Sequence, residues 1–191
     1  AELVPADMDD PSTLLSLMNG VDKVLVNAPM DAQKERRECN VIEAMLRAGN
    51  GARIVLLTGG VQHDDDLGKA GLATETCMRS SGLPWTVIGP QTVMETNFMP
   101  FRDLIQSDSM LLSCVGQAKI GFVALRDVTD AFITVLASSP EAHIGCEYVI
   151  TGPEAVTFED VAAAATDALG RSITYQAVSY THLTLPTNTV V

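Results

Sequence analysis

The chain of 191 residues is 47% hydrophobic and 19% charged, which is an ordinary composition for one globular domain. Its formal net charge of −12 at pH 7 repels phosphate backbones and anionic lipid surfaces, and no run of Lys and Arg offsets that charge locally. No apolar run reaches the roughly 18 residues that a membrane span needs. These values argue against nucleic acid and membrane as partners and leave a small-molecule substrate.

The four cysteines lie more than thirty residues apart, so they form neither a C-x-x-C pair nor a compact disulfide framework. Free thiols fit a reducing compartment, and we expect a cytoplasmic protein. The start, Ala1-Glu2-Leu3, has neither the basic nor the apolar region of a secretory signal. It also lacks an initiator Met, which indicates a truncated or processed beginning.

A first helix is predicted near the start of the chain. Asp10 can cap it, Pro11 suits its first position, and Gly20 suits a left-handed stop. Leu14 and Met18 belong to its apolar face.

Strands and helices alternate after this helix, in the order typical of a mostly parallel sheet with crossover helices. The run at 53–58 is apolar on both faces, which is the mark of a central parallel strand. Thr157 and Asp160 form a capping-box-like helix start. The predicted strands cover residues 23–27, 53–58, 85–88, 121–123, 146–150 and 173–178; the predicted helices cover about 32–48 (with Cys39, Ile42 and Leu46 on one face), 67–80, 127–138 and 157–170.

The tail at 179–191 differs from the rest, because it is rich in Thr and has no acidic residue. It resembles the translated sequencing-adapter peptide that ends many proteins from fragmentary assemblies. We interpret it as non-native, exclude it from the fold, and give its His182 no function.

Ligands of doubly wound sheets bind outside the carboxyl ends of the strands. The strand ends in this sequence are Asn27-Ala28-Pro29, Thr58-Gly59-Gly60 and Gly89-Pro90-Gln91. Small residues and Pro let a flat cofactor approach the backbone, while Asn27 and Thr58 can hydrogen-bond ribose or amide groups. The alternative is that these segments are only tight strand-to-helix turns.

Five short motifs follow one another along the chain. They are Val21-Asp22-Lys23-Val24, Asn40-Val41-Ile42-Glu43-Ala44, Ser81-Gly82-Leu83-Pro84-Trp85-Thr86-Val87, Arg126-Asp127-Val128 and Tyr148-Val149-Ile150-Thr151-Gly152-Pro153-Glu154. Their order and spacing resemble those of NmrA-like proteins, which are atypical short-chain dehydrogenases. That family includes NAD(P)H-dependent quinone and isoflavone-type reductases and also catalytically silent NADP sensors. The resemblance covers about residues 6–178.

The resemblance implies roles for the residues at the strand ends. In such relatives Asp7 and Met8 would lie beside the adenine, at the end of the third strand. The ribose would be flanked by Asn27, Ala28 and Pro29, the nicotinamide side would face Thr58 and Gly59, and the carboxamide would lie near Pro90. The segment with Met94, Glu95, Asn97 and Phe98 matches the substrate-pocket lining, although Met and Phe there could equally be ordinary core.

The implied fold is α/β: a doubly wound, mostly parallel, Rossmann-like sheet that lacks its first two strands, with a small C-terminal α/β substrate lobe. Residues 1–178 would form a single incomplete NAD(P)-binding domain, with lobe elements mainly in 91–120 and 146–178. Loss of the first two strands would leave Leu3-Val4 without a neighbour and open one edge of the strand at 23–27.

The family's glycine-rich loop, which holds the pyrophosphate, is absent from this sequence. The residue that selects the cofactor is lost with it, so the cofactor is NADP or NAD with no readable preference. We expect this chain to bind dinucleotide weakly and to be less stable than a chain with the missing strands.

A second departure concerns catalysis. Reductases of the family often place a Lys, and quinone-reducing relatives a His, at a helix position that is Gly71 here. Lys69 is a weak substitute, because two residues along a helix turn a side chain by about 200°. No catalytic residue is therefore assigned. The cofactor itself can still pass a hydride to an acceptor that the pocket orients.

Other polar groups carry less weight. Asp64, Asp65 and Asp66 after His63 are interpreted as a solvated charge run, and we predict no metal site. His143 is interpreted as a surface residue. The thiols of Cys39 and Cys77 are predicted to face helix cores as small hydrophobes.

The leading hypothesis is an NAD(P)H-dependent oxidoreductase acting on a small quinone-like or carbonyl acceptor. The runner-up is a non-catalytic NAD(P)-binding sensor that regulates a partner protein, and Gly71 favours it. A sugar-nucleotide epimerase-like enzyme is a distant third, because none of the three tyrosines belongs to a Tyr-x-x-x-Lys pair.

Overall fold

The computed structural model describes residues 2–59, 66–139 and 141–178. The predictions for Gly60, for His63 to Asp65 and for the tail at 179–191 lie outside these ranges. Within them, no helix is long and apolar enough to cross a membrane.

Strands and helices alternate through most of the described chain. The strands are β1 (Lys23–Val26), β2 (Arg53–Leu57), β3 (Trp85–Pro90), β4 (Thr92–Val93), β5 (Met110–Ser113), β6 (Phe122–Val123), β7 (Cys146–Ile150) and β8 (Thr174–Ala177). The helices are α1 (Lys34–Ala48), α2 (Asp66–Ser80), α3 (Met94–Phe98), α4 (Arg102–Asp108), α5 (Leu125–Ala137) and α6 (Phe158–Leu169).

The main sheet has the order β1-β2-β3-β7, and every neighbouring pair is parallel. One face packs against α1 and α2, where Ile54 and Leu56 share a core with Ile42 and Met78. Because side chains alternate along a strand, Arg53 points to the other face, where it bonds the backbone of α5. Helices on both faces of a parallel sheet confirm the predicted α/β, Rossmann-like fold class.

The first predicted helix is wrong in type. The segment forms two 3-10 helices, Pro11–Thr13 and Leu15–Met18. Asp10 caps the first as predicted, and Gly20 has the left-handed φ of 70°. A segment this short closes few α-helical hydrogen bonds, whereas 3-10 turns suffice to bury Leu14 and Met18.

One further prediction needs correction. Leu46 is 44% exposed, and Met45 is fully buried in its place, because the buried face of α1 follows Ile42 at a spacing of three residues rather than four. Leu3 and Val4 form no strand and are 94% and 54% exposed. Among the described residues no strand lies beside them, in agreement with the expected lack of a sheet neighbour.

The chain divides into two compact units. Among the described residues, unit 1 comprises 2–59, 66–91, 126–139 and 141–150, and unit 2 comprises 92–125 and 151–178. The sequence predicts that the strand at 146–150 belongs to the substrate lobe, but it is β7 and pairs with β3 in the main sheet. Hydrogen bonding in register, with Ile88 opposite Tyr148, holds it in unit 1.

Unit 2 contains two short parallel pairs, β4 with β6 and β5 with β8. Its aromatic cluster joins Phe98, Phe122 and Phe158, with ring centroids 5.0–6.0 Å apart. The predicted capping box is confirmed: Thr157 accepts from the Asp160 amide, and the Asp160 carboxylate accepts from the Thr157 amide. It fixes the start of α6 beneath these rings.

Two cations at the amino end of the sheet hold the carboxyl end of α5. Lys23 donates to the carbonyls of Leu136 and Ser138, and Arg53 donates to the carbonyl of Val135 at 2.8 Å. Arg53 is only 2% exposed. The last carbonyls of a helix lack partners within the helix and carry partial negative charge. These contacts give them hydrogen-bond donors, and the two positive charges interact favourably with the helix dipole.

Two glycines give a matched test of the packing. A Cβ on Gly152 would lie 1.9 Å from the backbone oxygen of Phe122, whereas a Cβ on Gly71 would lie 3.7 Å from the Thr58 hydroxyl. Gly152→Ala is expected to lower the free energy of unfolding by about 2–3 kcal/mol, since backbone must move. Gly71→Ala is expected to be neutral or to stabilise by up to about 1 kcal/mol, because Ala favours the helix. Urea titration measures both, and equal effects would contradict the packing described.

Candidate functional site

The carboxyl ends of β1, β2 and β3 meet at one edge of the main sheet, because the three strands are parallel and adjacent. Asn27 and Thr58 follow the first two strands, and Pro90 ends the third. The Thr58 amide donates to the Ile88 carbonyl at 3.1 Å, which extends the pairing past the strand end. Asn27 is exposed, Thr58 is half-buried and Pro90 is buried. The three predicted cofactor segments therefore share one edge.

A fully buried carboxylate, Glu38, anchors the loop after β1. The Ala28 amide donates to its Oε1 at 3.1 Å, and the Lys34 ammonium bonds the same oxygen. The Thr74 hydroxyl donates to its Oε2 at 2.9 Å. Glu38 thus ties β1, α1 and α2 together at the edge where the candidate site lies.

Sequence reasoning missed this buried cluster. The available signal was the spacing of Lys34 and Glu38, four residues apart on one helix. Such pairs are usually solvated, and only the packing of α2 over α1 places this one in the interior. A buried carboxylate needs a cation and further hydrogen bonds to offset its desolvation, and Glu38 has both.

The end of β2 is held by a second carboxylate. The Thr58 hydroxyl donates to Glu75 at 3.2 Å, and Arg79 donates to the other Glu75 oxygen at 3.2 Å. Arg79 also bonds Glu147 at 2.6 Å and lies 4.4 Å above the Trp85 ring. The hydrogen bond that Arg79 donates to Glu147, and after it the one to Glu75, raises the pKa of Arg79. This chain of contacts fixes the orientation of the Thr58 hydroxyl.

Gly71 lies on α2 with its side-chain position aimed at this strand end. A Cβ there would be 3.7 Å from the Thr58 Oγ1 and would meet no backbone. A longer side chain at this position would therefore enter the candidate site, as the resemblance implies. Lys69 is exposed on another face of the helix. The space beside Thr58 carries no ionisable side chain from position 71.

The segment with Asp7 and Met8 is tied to the loop after β1 by an arginine. Arg37 donates to Asp9 at 2.8 and 2.9 Å and to Asp31 at 2.7 Å. The hydrogen bond from Arg37 lowers the pKa of Asp9, whereas that of Asp31 is lowered first by the Gln33 amide and then by Arg37.

The two predicted adenine neighbours are themselves held locally. The Asp7 carboxylate accepts from the Asp9 amide at 2.8 Å, and the Met8 carbonyl accepts from the Asn40 side chain at 2.9 Å. Together with the Arg37 bridge, these bonds bring the Asp7 and Met8 segment to the side of the sheet that carries the loop after β1.

The predicted substrate residues lie in unit 2. Met94 and Phe98 line two cavities of about 450 and 360 Å³. The smaller also includes Phe122 and Val161 in its wall. Asn97 lines neither, because its amide donates to the Val93 carbonyl at 2.9 Å. Glu95, beside Met94, accepts from the Leu125 amide at 2.8 Å and holds the start of α5.

The remaining reactive groups show no built catalytic arrangement. Among the described residues, no group of three His, Cys, Asp or Glu side chains could hold a metal ion. All four cysteines are unpaired thiols. Burial, first of all, raises the pKa of Cys39 to about 12, so its thiol stays protonated and packs as a small hydrophobe.

His143 is not the surface residue that the sequence predicts. Its ring is half-buried and lies 2.7 Å from the Tyr148 hydroxyl and 3.1 Å from that of Ser138. A left-handed backbone with φ 67° turns the ring inward from its loop. Nothing in the local sequence pattern predicts that conformation at a non-glycine residue.

In fold and in sequence the chain is similar to Rossmann-like reductases that use NAD(P)H, although it matches no protein-family model. It is 29% identical to the NAD(P)H azoreductase of Xenophilus azovorans over 176 residues, which is 91% of this chain and 60% of that protein.

Two solved structures extend the similarity to the fold. The first is the NADPH-dependent quinone oxidoreductase of Escherichia coli in complex with NADPH, with a TM-score of 0.81 at 25% identity over 91% of this chain and 61% of the other. The second is the triphenylmethane reductase of Citrobacter sp. complexed with NADP(H), with a TM-score of 0.80 at 21% identity over 91% and 62%. The chain spans about 60% of the length of the curated relatives it matches.

Thr74 and Thr76 test the role of the buried carboxylate. Thr74→Val removes a donor to Glu38 and is expected to lower the free energy of unfolding by about 1–3 kcal/mol. Thr76→Val removes an exposed hydroxyl that bonds only the Leu72 carbonyl, so its effect should stay within about 0.5 kcal/mol. Denaturant unfolding of both variants provides the comparison. Equal losses would show that Glu38 does not depend on Thr74.

Proposed function

We propose that the protein is an NAD(P)H-dependent oxidoreductase that reduces a small quinone-like or carbonyl acceptor. The observation that supports this most directly is the shared edge at which Asn27, Thr58 and Pro90 end three adjacent parallel strands. That edge is where doubly wound sheets bind dinucleotides. The similarity to NAD(P)H-dependent reductases supports the same assignment.

In this proposal each strand end contacts a different part of the cofactor. Asp7 and Met8 lie beside the adenine, and the loop of Asn27, Ala28 and Pro29 flanks the ribose. The Ala28 amide donates to Glu38, which fixes the backbone of that loop before the ribose binds.

The nicotinamide end of the cofactor is assigned to the next two strands. Thr58 and Gly59 face the nicotinamide, and Pro90 lies near its carboxamide. The Thr58 hydroxyl donates its proton to Glu75. Its oxygen can therefore accept a hydrogen bond from the amide N–H of the carboxamide. The cofactor is NADP or NAD.

The bound cofactor would supply the hydride, which is the difficult part of the chemistry. The chain's own residues bind and orient. Because position 71 is glycine, no side chain extends from it toward Thr58, where a Cβ would already lie 3.7 Å from the hydroxyl oxygen. Proton delivery to a reduced quinone then comes from solvent, which suits acceptors whose reduced form is a stable phenolate.

The apolar cavities around Met94 and Phe98 are proposed to receive the acceptor. The smaller, of about 360 Å³, presents the Phe98 and Phe122 rings and the flexible Met94 side chain. Aromatic faces and a thioether pack well against planar conjugated molecules. A cavity of this volume is in the usual range for small-molecule sites.

Turnover by the protein expressed from the complete reading frame that contains this chain tests the proposal. We expect oxidation of NADPH or NADH by quinones and enones, and we expect it to survive Lys69→Ala. Thr58→Val should lower kcat/KM by roughly tenfold, because one hydrogen bond to a positioned group is lost. Thr76→Val is the matched control and should leave kcat/KM unchanged. Absence of both nucleotide binding and turnover would refute the proposal.

Met94 and Met99 test which cavity takes the acceptor. Both line the larger cavity, but only Met94 also lines the smaller one. Met94→Ala should raise KM for an apolar quinone about three- to tenfold with kcat little changed, since packing area is lost. Met99→Ala should change KM less than twofold. The reverse pattern in steady-state kinetics would move the acceptor out of the smaller cavity.

The alternative function is a dinucleotide-binding sensor that regulates a partner protein without turnover. Gly71 favours it, because the helix position at which such reductases carry a Lys or a His has no acid or base here. Nucleotide binding without oxidation by any acceptor would select this alternative. A cytoplasmic location is proposed for either function from the four free thiols.

A further inference from the structure

A cavity of about 180 Å³ lies on the α5 side of the main sheet and takes no part in the proposed reaction. Its floor comes from β3 and β7, its wall from α5, and its rim from His143. Its lining residues are Ile88, Ala131, Thr134, Val135, His143, Tyr148 and Ile150. Most of this surface is apolar, and the polar groups are confined to one histidine ring and two hydroxyls.

His143 is held between two hydroxyl groups. One ring nitrogen lies 2.7 Å from the Tyr148 hydroxyl, and the other lies 3.1 Å from the Ser138 hydroxyl. The rings of His143 and Tyr148 meet edge to face, with centroids 5.7 Å apart. The φ of 67° at His143 lies in the left-handed region, which residues other than glycine adopt uncommonly, and the two hydrogen bonds hold the ring in this position.

The Thr134 carbonyl, Ser138, His143 and Tyr148 form one series of hydrogen bonds. The carbonyl at one end determines which group donates at each step. The Ser138 hydroxyl lies 2.6 Å from the Thr134 carbonyl, which can only accept, so the serine proton is committed there. Ser138 must then accept from the Nε2–H of His143. In the neutral ring Nδ1 carries no proton, so it accepts from the Tyr148 hydroxyl.

Every hydroxyl proton that borders the cavity is therefore already donated. Thr134 gives its own proton to the Asp130 carbonyl at 2.8 Å, and Tyr148 gives its proton to His143. The oxygens keep lone pairs. The Tyr148 oxygen, whose own proton is given to His143, keeps a lone pair that can accept a hydrogen bond. With a neutral His143 ring, the hydroxyl groups of the cavity present acceptors only.

We propose that this cavity binds a small aromatic alcohol of the phenol class, with its ring against Ile88, Val135 and Ile150 and its hydroxyl donating to Tyr148. The size agrees, since apolar cavities of about 150 Å³ hold benzene in other proteins. A ring with one hydroxyl fills the remaining volume. A ligand that can only accept hydrogen bonds cannot use the accepting lone pair of Tyr148 and forms no hydrogen bond with this hydroxyl.

Phenol, anisole and toluene form a matched set that tests this proposal. All three carry one ring and one small substituent, but only phenol can donate. Titration into the whole protein, followed by NMR shifts of the His143 and Tyr148 rings, should give phenol an affinity about three- to tenfold higher than that of anisole or toluene. Equal affinities for phenol and anisole would refute the claim that the ligand must donate a hydrogen bond to Tyr148.

Variants assign the effect to this site. Tyr148→Phe should reduce the preference for phenol over toluene to less than twofold while toluene still binds, which also shows that the variant is folded. Tyr175→Phe, in unit 2, is the matched control and should keep the full preference. Ala131→Leu should fill the cavity and abolish binding of all three ligands. An unchanged preference in Tyr148→Phe, unchanged binding in Ala131→Leu, or no saturable shift with any ligand would each refute the proposal, whatever the outcome of the turnover assays.

Discussion

The candidate site depends on one buried carboxylate. Glu38 is fully enclosed, yet it accepts from an ammonium, a hydroxyl and a backbone amide that come from α1, α2 and the loop after β1. A buried charge in this position is costly unless all its partners are present, so the three elements are fixed together. The loop that would meet a cofactor ribose is consequently shaped from inside the protein, before any ligand arrives.

The strand end at Thr58 is held by a second carboxylate, Glu75. Thr58 is positioned by Glu75, and Glu75 in turn by Arg79, which spreads its charge between two carboxylates and an aromatic face. Because Arg79 is partly exposed, this support is weaker per bond than the enclosed one at Glu38. The two supports meet on α2, where Thr74 and Glu75 are consecutive residues that serve different strands.

Much of the fold was predictable, because it follows from periodicity and punctuation. Buried parallel strands such as β2, and a helix start such as Thr157 with Asp160, leave strong local signals. Contacts that join distant parts of the chain leave none. Glu38 looks like one half of a solvated ion pair, and His143 like a loop residue, until packing buries the first and a left-handed backbone turns the second inward. The sequence also predicts the wrong buried residue on α1, Leu46 instead of Met45. Residues three and four positions after Ile42 both lie near the same helix face, so the pattern alone does not choose between them.

The cations that hold α5 have a consequence for how this protein can change over evolutionary time. Lys23 and Arg53 act at the amino ends of β1 and β2, whereas the residues proposed to meet the ribose and the nicotinamide follow the carboxyl ends of the same two strands. Substitutions that alter specificity can therefore accumulate at one end without disturbing the contacts that secure the other. The strands separate the demands of stability from those of recognition, and divergent activities can arise on an unchanged scaffold.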